Sequence, residues 1–193
     1  MRMFAAVVPP GHVLAELADL VASVCRGTDE VDPTPVSEMH VRLCRFGQVA
    51  LADSRNLARV LREDSRKWSR SEIRFAGGTA LEWRGDESVW AKLDGDLEPV
   101  LTLARAVPEA VRRLGFFVDR REFKPWLSVG TITDTTSAKL LERLVAALDA
   151  YRGPAWTIDE VSLCRWLPSE EPAAHPFEVV ESYVLGVVEP SEG

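Results

Sequence analysis

Met39-His40-Val41-Arg42-Leu43 and Pro125-Trp126-Leu127-Ser128-Val129 are two versions of one short strand, and only the first keeps a histidine. His40 and Trp126 are 86 residues apart. The same shift lays Phe4, Ala5 and Val7 over Trp90, Ala91 and Leu93, and Leu14, Leu17 and Val21 over Val100, Leu103 and Val107. One offset that holds across an apolar strand, a helix-period stretch and a second strand is the mark of an internal repeat. Beyond it the overlay loosens: Phe75 still meets Val161, but the later loops do not match. This reading predicts an α+β fold of two pseudo-twofold duplicated lobes, each a mainly antiparallel sheet with outer helices. The two motif strands then face one central cleft.

The rest of the chain fits that plan. Met3 to Val8 is an apolar run closed by Pro9-Pro10, which reads as a buried strand. Leu14, Leu17, Leu20, Val21 and Val24 recur at helical spacing, and a proline-bearing loop follows from residue 28 to 35. Met39 to Phe46 reads as a strand stopped by Gly47, and Leu57, Val60 and Leu61 mark a second helix. Residues 71–83 and 88–93 read as paired strands joined across Arg84-Gly85-Asp86-Glu87. Leu97, Val100, Leu101, Ala104 and Val107 form a helix that Pro108 should kink or restart, because its ring removes a backbone donor. Residues 123–132 make the second motif strand. Leu140, Leu141, Leu144, Val145 and Leu148 make an amphipathic helix, with Asp134 or a nearby threonine as its expected cap. Strands over 156–167 and 177–188 finish the domain on either side of a proline-rich, acidic loop at 168–176, leaving 189–193 as a flexible tail. A single bilobed domain over residues 1–188 follows. Several neighbouring strands are joined too tightly for parallel crossovers, which favours antiparallel sheets.

Bulk properties narrow the function. A net charge of −7 argues against a surface that coats nucleic acid, whose footprint is basic, while leaving room for a small basic pocket. Cys25, Cys44 and Cys164 are dispersed and odd in number, so neither a disulfide framework nor a zinc site is indicated, and no metal or cofactor is expected. Dispersed thiols suit a reducing cytoplasm. The first apolar run is too short for a signal-peptide core or a membrane span, which adds to a cytoplasmic expectation.

Strand alternation selects the candidate site. It puts His40, Arg42 and Cys44 on one face and Val41, Leu43 and Arg45 on the other; in the second copy Trp126, Ser128 and Gly130 share a face backed by Leu127 and Val129. Lys124 is in register with the second set. Arginine offers a bidentate fork, serine a hydroxyl donor, and histidine a proton donor or acceptor near neutral pH, which together suit a phosphate. Taken singly, His40 reads as a structural or surface histidine, Arg42 and Lys124 as solvated charges, and Trp126 as a space-filler or a base-stacking ring. His12 and His175 read as exposed and silent.

With these residues in view, the chain resembles the two-histidine (2H) phosphoesterase superfamily, in particular its 2′-5′ RNA ligase-like branch of RNA 2′,3′-cyclic phosphodiesterases. The resemblance runs through Phe4-Ala5-Ala6-Val7-Val8-Pro9-Pro10 and Met39 to Gly47, where the family has His-x-Thr leading into Arg-Phe and a glycine. It continues through Leu114-Gly115-Phe116 and Arg121-Glu122-Phe123-Lys124-Pro125-Trp126-Leu127-Ser128, where the family has a basic residue, Phe, Pro and a second His-x-Thr or His-x-Ser. The resemblance implies one histidine as general base, one as general acid, and hydroxyl residues on the phosphate oxygens. Here Arg42 stands for the first hydroxyl and Trp126 for the second histidine. Indole has only a donor N–H and cannot exchange the proton the reaction needs. Losing such a group typically costs about 10²–10⁴-fold in rate. The expectation is a divergent protein that binds an RNA end or nucleotide bearing a 2′,3′-cyclic or 2′-phosphate. Arg42, Lys124, Trp126 and Ser128 bind it, and His40 is the residual acid–base group. The alternatives are an active phosphodiesterase using His40 with Arg42, and a non-catalytic interaction module.

Overall fold

The computed structural model describes residues 1–83, 86–116, 122–170 and 174–186. Its strands are β1 (Arg2–Val7), β2 (Val31–Pro33), β3 (Val41–Gln48), β4 (Ser71–Trp83), β5 (Asp86–Gly95), β6 (Trp126–Ile132), β7 (Trp156–Ile158), β8 (Glu160–Trp166) and β9 (Phe177–Val184). The helices are α1 (Gly11–Val24), α2 (Leu51–Ser65), α3 (Leu97–Arg112) and α4 (Ala138–Ala150). They form an α+β fold with two sheets, ordered β3-β1-β8-β9 and β2-β6-β5-β4-β7, in which every pairing is antiparallel.

Shifted by 86 residues, β1, α1, β3 and α2 fall on β5, α3, β6 and α4. Each sheet therefore sets the equivalent strands side by side, β3 against β1 and β6 against β5. The third strands are exchanged: β4, from the first half of the chain, pairs with β5, and β8, from the second half, pairs with β1. The halves of the sequence are not the halves of the fold.

One face of each sheet builds the core. Met3, Ala5 and Val7 of β1 and Val89, Ala91 and Leu93 of β5 are buried against Leu14, Leu17 and Val21 of α1, Val100, Leu103 and Val107 of α3, and Leu140, Leu144 and Leu148 of α4. The stripes at helical spacing are thus core, as the periodicity indicates. The close seat of α4 depends on one glycine. A Cβ on Gly78 would lie 2.6 Å from Leu148 Cβ, and the Gly78 N–H instead donates to Asp149 Oδ1 at 2.9 Å.

Several expectations are corrected. Residues 31–33 inside the expected loop pair as β2 with the edge of β6, a place where Pro33 costs no ladder donor. Helix α3 runs unbroken through Pro108. Helix α4 is capped by Ser137, whose Oγ accepts from Leu140 N at 3.3 Å; Thr133 and Thr136 bond to each other and to the Glu30 carbonyl instead. The expected strand over 156–167 is two strands that change sheets at Asp159, β7 joining β4 and β8 joining β1. Residues 84–85, 117–121, 171–173 and 187–193 lie outside the described residues, and with them part of the 84–87 turn, Arg121 and the tail. Among the described residues no helix is long and apolar enough to cross a membrane.

Candidate functional site

The faces of the two sheets that do not enter the main core meet at a 410 Å³ cavity. His40, Arg42, Lys124, Trp126 and Ser128 all line it, with Val41, Leu127 and Val129 buried behind them, while Leu43, also buried, reaches the cavity wall. Both motif strands carry an irregularity that decides which side chains reach this space. In β3, Ala5 pairs with Cys44 and Ala6 with Arg42, so Leu43 is an extra residue. In β6, Val89 pairs with Gly130 and Trp90 with Ser128, so Val129 is extra. The two extra residues are themselves 86 apart. A bulge reverses the alternation beyond it. Cys44 consequently packs into the core while still touching the cavity, Arg45 lines the cavity, and Gly130 turns to the core side opposite Val89. These placements correct the simple alternation for Arg45 and Gly130, while Cys44 keeps an edge on the cavity.

His40 sits in an aromatic wall. Its ring lies 4.9 Å from Phe4, 4.9 Å from Phe177 and 5.6 Å from Trp166. Its Nδ1 bonds the Glu38 carbonyl at 2.8 Å. A carbonyl only accepts, so Nδ1 carries the proton and Nε2 is left with the lone pair. Burial, helped by the charges of Arg42 and Arg45 and opposed by the Glu38 bond, pushes His40 down to about 4 from 6.5. At neutral pH it is an uncharged ring that can accept a proton at Nε2. The equivalent pair in the other sheet is Trp90 and Trp126, whose centroids are 6.5 Å apart. Lys92 and Lys124 place ammonium groups over the Trp126 ring at 5.7 and 5.8 Å, and Lys124 also pairs with Glu122 at 2.8 Å. A second cavity of 660 Å³ lies between the ends of α2 and α3. There Asp64 is clamped by Lys67 at 2.6 Å and Arg113 at 2.9 Å, and neither motif strand reaches it.

No family model matches the chain, and no curated protein sequence matches it. Solved structures do. TT0787 of Thermus thermophilus is 20% identical, with a TM-score of 0.74 over 96% of this chain and 98% of its own. LigT of E. coli, in its complex with 3′-AMP, is 15% identical, with a TM-score of 0.74 over 95% of this chain and 97% of its own. A structure described as a phosphoesterase is 15% identical, with a TM-score of 0.68 over 95% and 97%. The chain has the LigT fold. At this identity the likeness is one of architecture, and what the cleft does rests on its own side chains.

In the cleft of this LigT fold the cations come from β3 and from the run before β6, and the indoles come from β5 and β6. Strand alternation alone misses Arg45, and it gives no sign of Trp166 and Phe177, which arrive from the exchanged strand β8 and from β9. Trp90 had a signal: it is the counterpart of Phe4 at the 86-residue shift, and each of the two packs on its own motif ring. His12 is exposed. His175 is tied to the rim of the site, since its backbone N–H donates to Glu38 Oε2 at 2.9 Å and its ring stands 6.0 Å from Trp166.

The half-buried imidazole, held neutral by its aromatic surroundings, has a consequence for stability. Well above pH 6.5 the ring is neutral folded or unfolded and contributes no pH dependence. As pH falls toward about 4, only the unfolded chain takes the proton. Between pH 7 and pH 5 this should cost about 2 kcal/mol. Equilibrium denaturation at the two pH values should show that loss in the wild type and a smaller one in His40→Phe. An equal loss in both would mean that the fold does not hold His40 neutral.

Proposed function

We propose that the chain binds the phosphate of an RNA end or nucleotide in the 410 Å³ cavity, with hydrolysis of a 2′,3′-cyclic phosphate lost or strongly impaired. One observation carries the reading: guanidinium, ammonium, hydroxyl and neutral imidazole groups from the two motif strands line a single cavity that indoles also line. Support comes from crystals of LigT, which has the same fold and has been seen with phosphate, 3′-AMP, ATP and NADP+. Arg42 and Ser128 hold phosphate oxygens, Lys124 adds charge at the mouth, and Trp126 walls the nucleoside side. His40 Nε2 accepts a hydrogen bond from a ribose hydroxyl or water. It has no imidazole partner across the cleft, since Trp126 occupies that place and neither takes nor releases a proton at neutral pH. A reducing cytoplasm suits the three free thiols of Cys25, Cys44 and Cys164, all buried.

Calorimetric titration with 2′-, 3′- and 2′,3′-cyclic mononucleotides tests the reading. Binding should weaken in Arg42→Ala by about tenfold or more, the size of a lost charge-assisted hydrogen bond. No binding at millimolar ligand, or equal affinity in the variant, would leave an interaction module as the better description.

A further inference from the structure

We propose that Arg45, acting with Arg42, makes this cleft selective for a terminal phosphate monoester over a cyclic phosphodiester. The inference rests on the reading of the cavity as a phosphate site. It starts from the bulge in β3. Arg42 pairs with Ala6 and Arg45 with Phe4, and Phe4 and Ala6 lie on one face of β1. The extra residue Leu43 therefore brings two arginines, three apart in sequence, to the same face. Without it Arg45 would point to the side that Val41 and Cys44 occupy in the core. Both arginines line the cavity, and the charge of each acts on the His40 ring between Glu38 and the strand. An arginine carries five N–H donors in a planar fork, so contacts along one edge leave donors for a ligand along another.

The chemistry of the two ester types then separates them. A monoester carries about −1.5 to −2 charges at pH 7 and three terminal oxygens. A cyclic diester carries a single charge and two terminal oxygens. One bidentate fork satisfies the diester, and a second finds no further oxygen pair. Three oxygens and the larger charge let both forks engage at once, sharing the middle oxygen. The rest of the lining does not even out this difference. His40 is uncharged at neutral pH, Lys124 offers a single point charge and no fork, and Glu38 accepts from the His175 backbone. The two guanidinium groups are thus the groups of the lining that respond most to the number of phosphate oxygens.

The test compares 3′-AMP, 2′,3′-cyclic AMP and adenosine by calorimetry on the wild type, Arg45→Gln and Arg45→Lys, with thermal melts to confirm that each is folded. The wild type should prefer 3′-AMP over the cyclic nucleotide by about tenfold or more. Arg45→Gln should bring that ratio close to one while leaving cyclic AMP affinity within about threefold of wild type, because Arg42 still serves it. Arg45→Lys, which keeps the charge but not the fork, should fall between and remains informative if the glutamine variant does not fold. Equal wild-type affinity for the two nucleotides, or a uniform loss for both in Arg45→Gln, would overturn the selectivity while leaving the phosphate site intact. Failure of every nucleotide to bind, or adenosine binding as well as 3′-AMP, would overturn the phosphate site itself and the selectivity with it.

Discussion

The double variant Trp126→His, Arg42→Thr should hydrolyse a 2′,3′-cyclic mononucleotide about 10²-fold or more faster than the wild type, which should be at or near background. On the function proposed above, the cleft lacks a second proton-transfer group. His40 keeps its Nδ1 proton on the Glu38 carbonyl and offers only Nε2. One neutral imidazole can take a proton from an attacking hydroxyl, but a second group must return one to the leaving oxygen. An imidazole is smaller than the indole it replaces, so Trp126→His fits beside Trp90 without moving β6. Arg42→Thr supplies a hydroxyl and takes a cation from beside His40, which also raises the basicity of that ring. The gain should appear in kcat, since the loss of Arg42 weakens binding, and His40→Ala added to the double variant should abolish it. Strong wild-type turnover that persists in His40→Ala would place the chemistry elsewhere. Turnover that requires His40 in an otherwise unaltered chain would mean that His40 and Arg42 suffice for an active phosphodiesterase.

Phe4→Ala should cost about 3–5 kcal/mol of stability, as expected for emptying a phenyl site in a packed interior. Phe4 is fully buried, with its ring 4.3 Å from Trp166 and 5.5 Å from Phe177 as well as against His40. Removing it opens the aromatic wall, and water that enters beside the imidazole should bring its pKa up from about 4 toward 6.5. Denaturant unfolding gives the first quantity and NMR titration of the His40 ring the second. A large stability loss with the His40 pKa unmoved would show that the aromatic wall is not what keeps the ring uncharged.

Much of the architecture can be read from the chain because its main signals are local. The apolar stripes of α1, α3 and α4, the apolar run of β1 and the alternation in β5 report burial directly. The common offset between His40 and Trp126 brings out the equivalence of the two motif strands without any structural information. What escapes is set by partners far away in sequence. Nothing in the run from Trp156 to Trp166 marks Asp159 as the point where the backbone leaves one sheet for the other, since both sheets bury apolar side chains. The exchange of β4 and β8 is invisible for the same reason. The site is legible to the same degree. His40, Arg42, Lys124, Trp126 and Ser128 come to one cavity, but the bulges at Leu43 and Val129 depend on pairing with β1 and β5 and move Arg45 in and Gly130 out. The cap of α4 falls to Ser137 because Glu30, from the loop before β2, engages the threonines that local pattern favours.

The central claim is that the space between the two motif strands holds a nucleotide phosphate. The most direct measurement is a two-dimensional 1H–15N NMR titration of the wild type with 3′-AMP. The account predicts saturable shifts confined to backbone amides from His40 to Arg45 and from Trp126 to Ser128, together with the indole N–H of Trp126. Absence of shifts at millimolar nucleotide, or shifts gathered instead around Asp64, Lys67 and Arg113 at the cavity between α2 and α3, would contradict it.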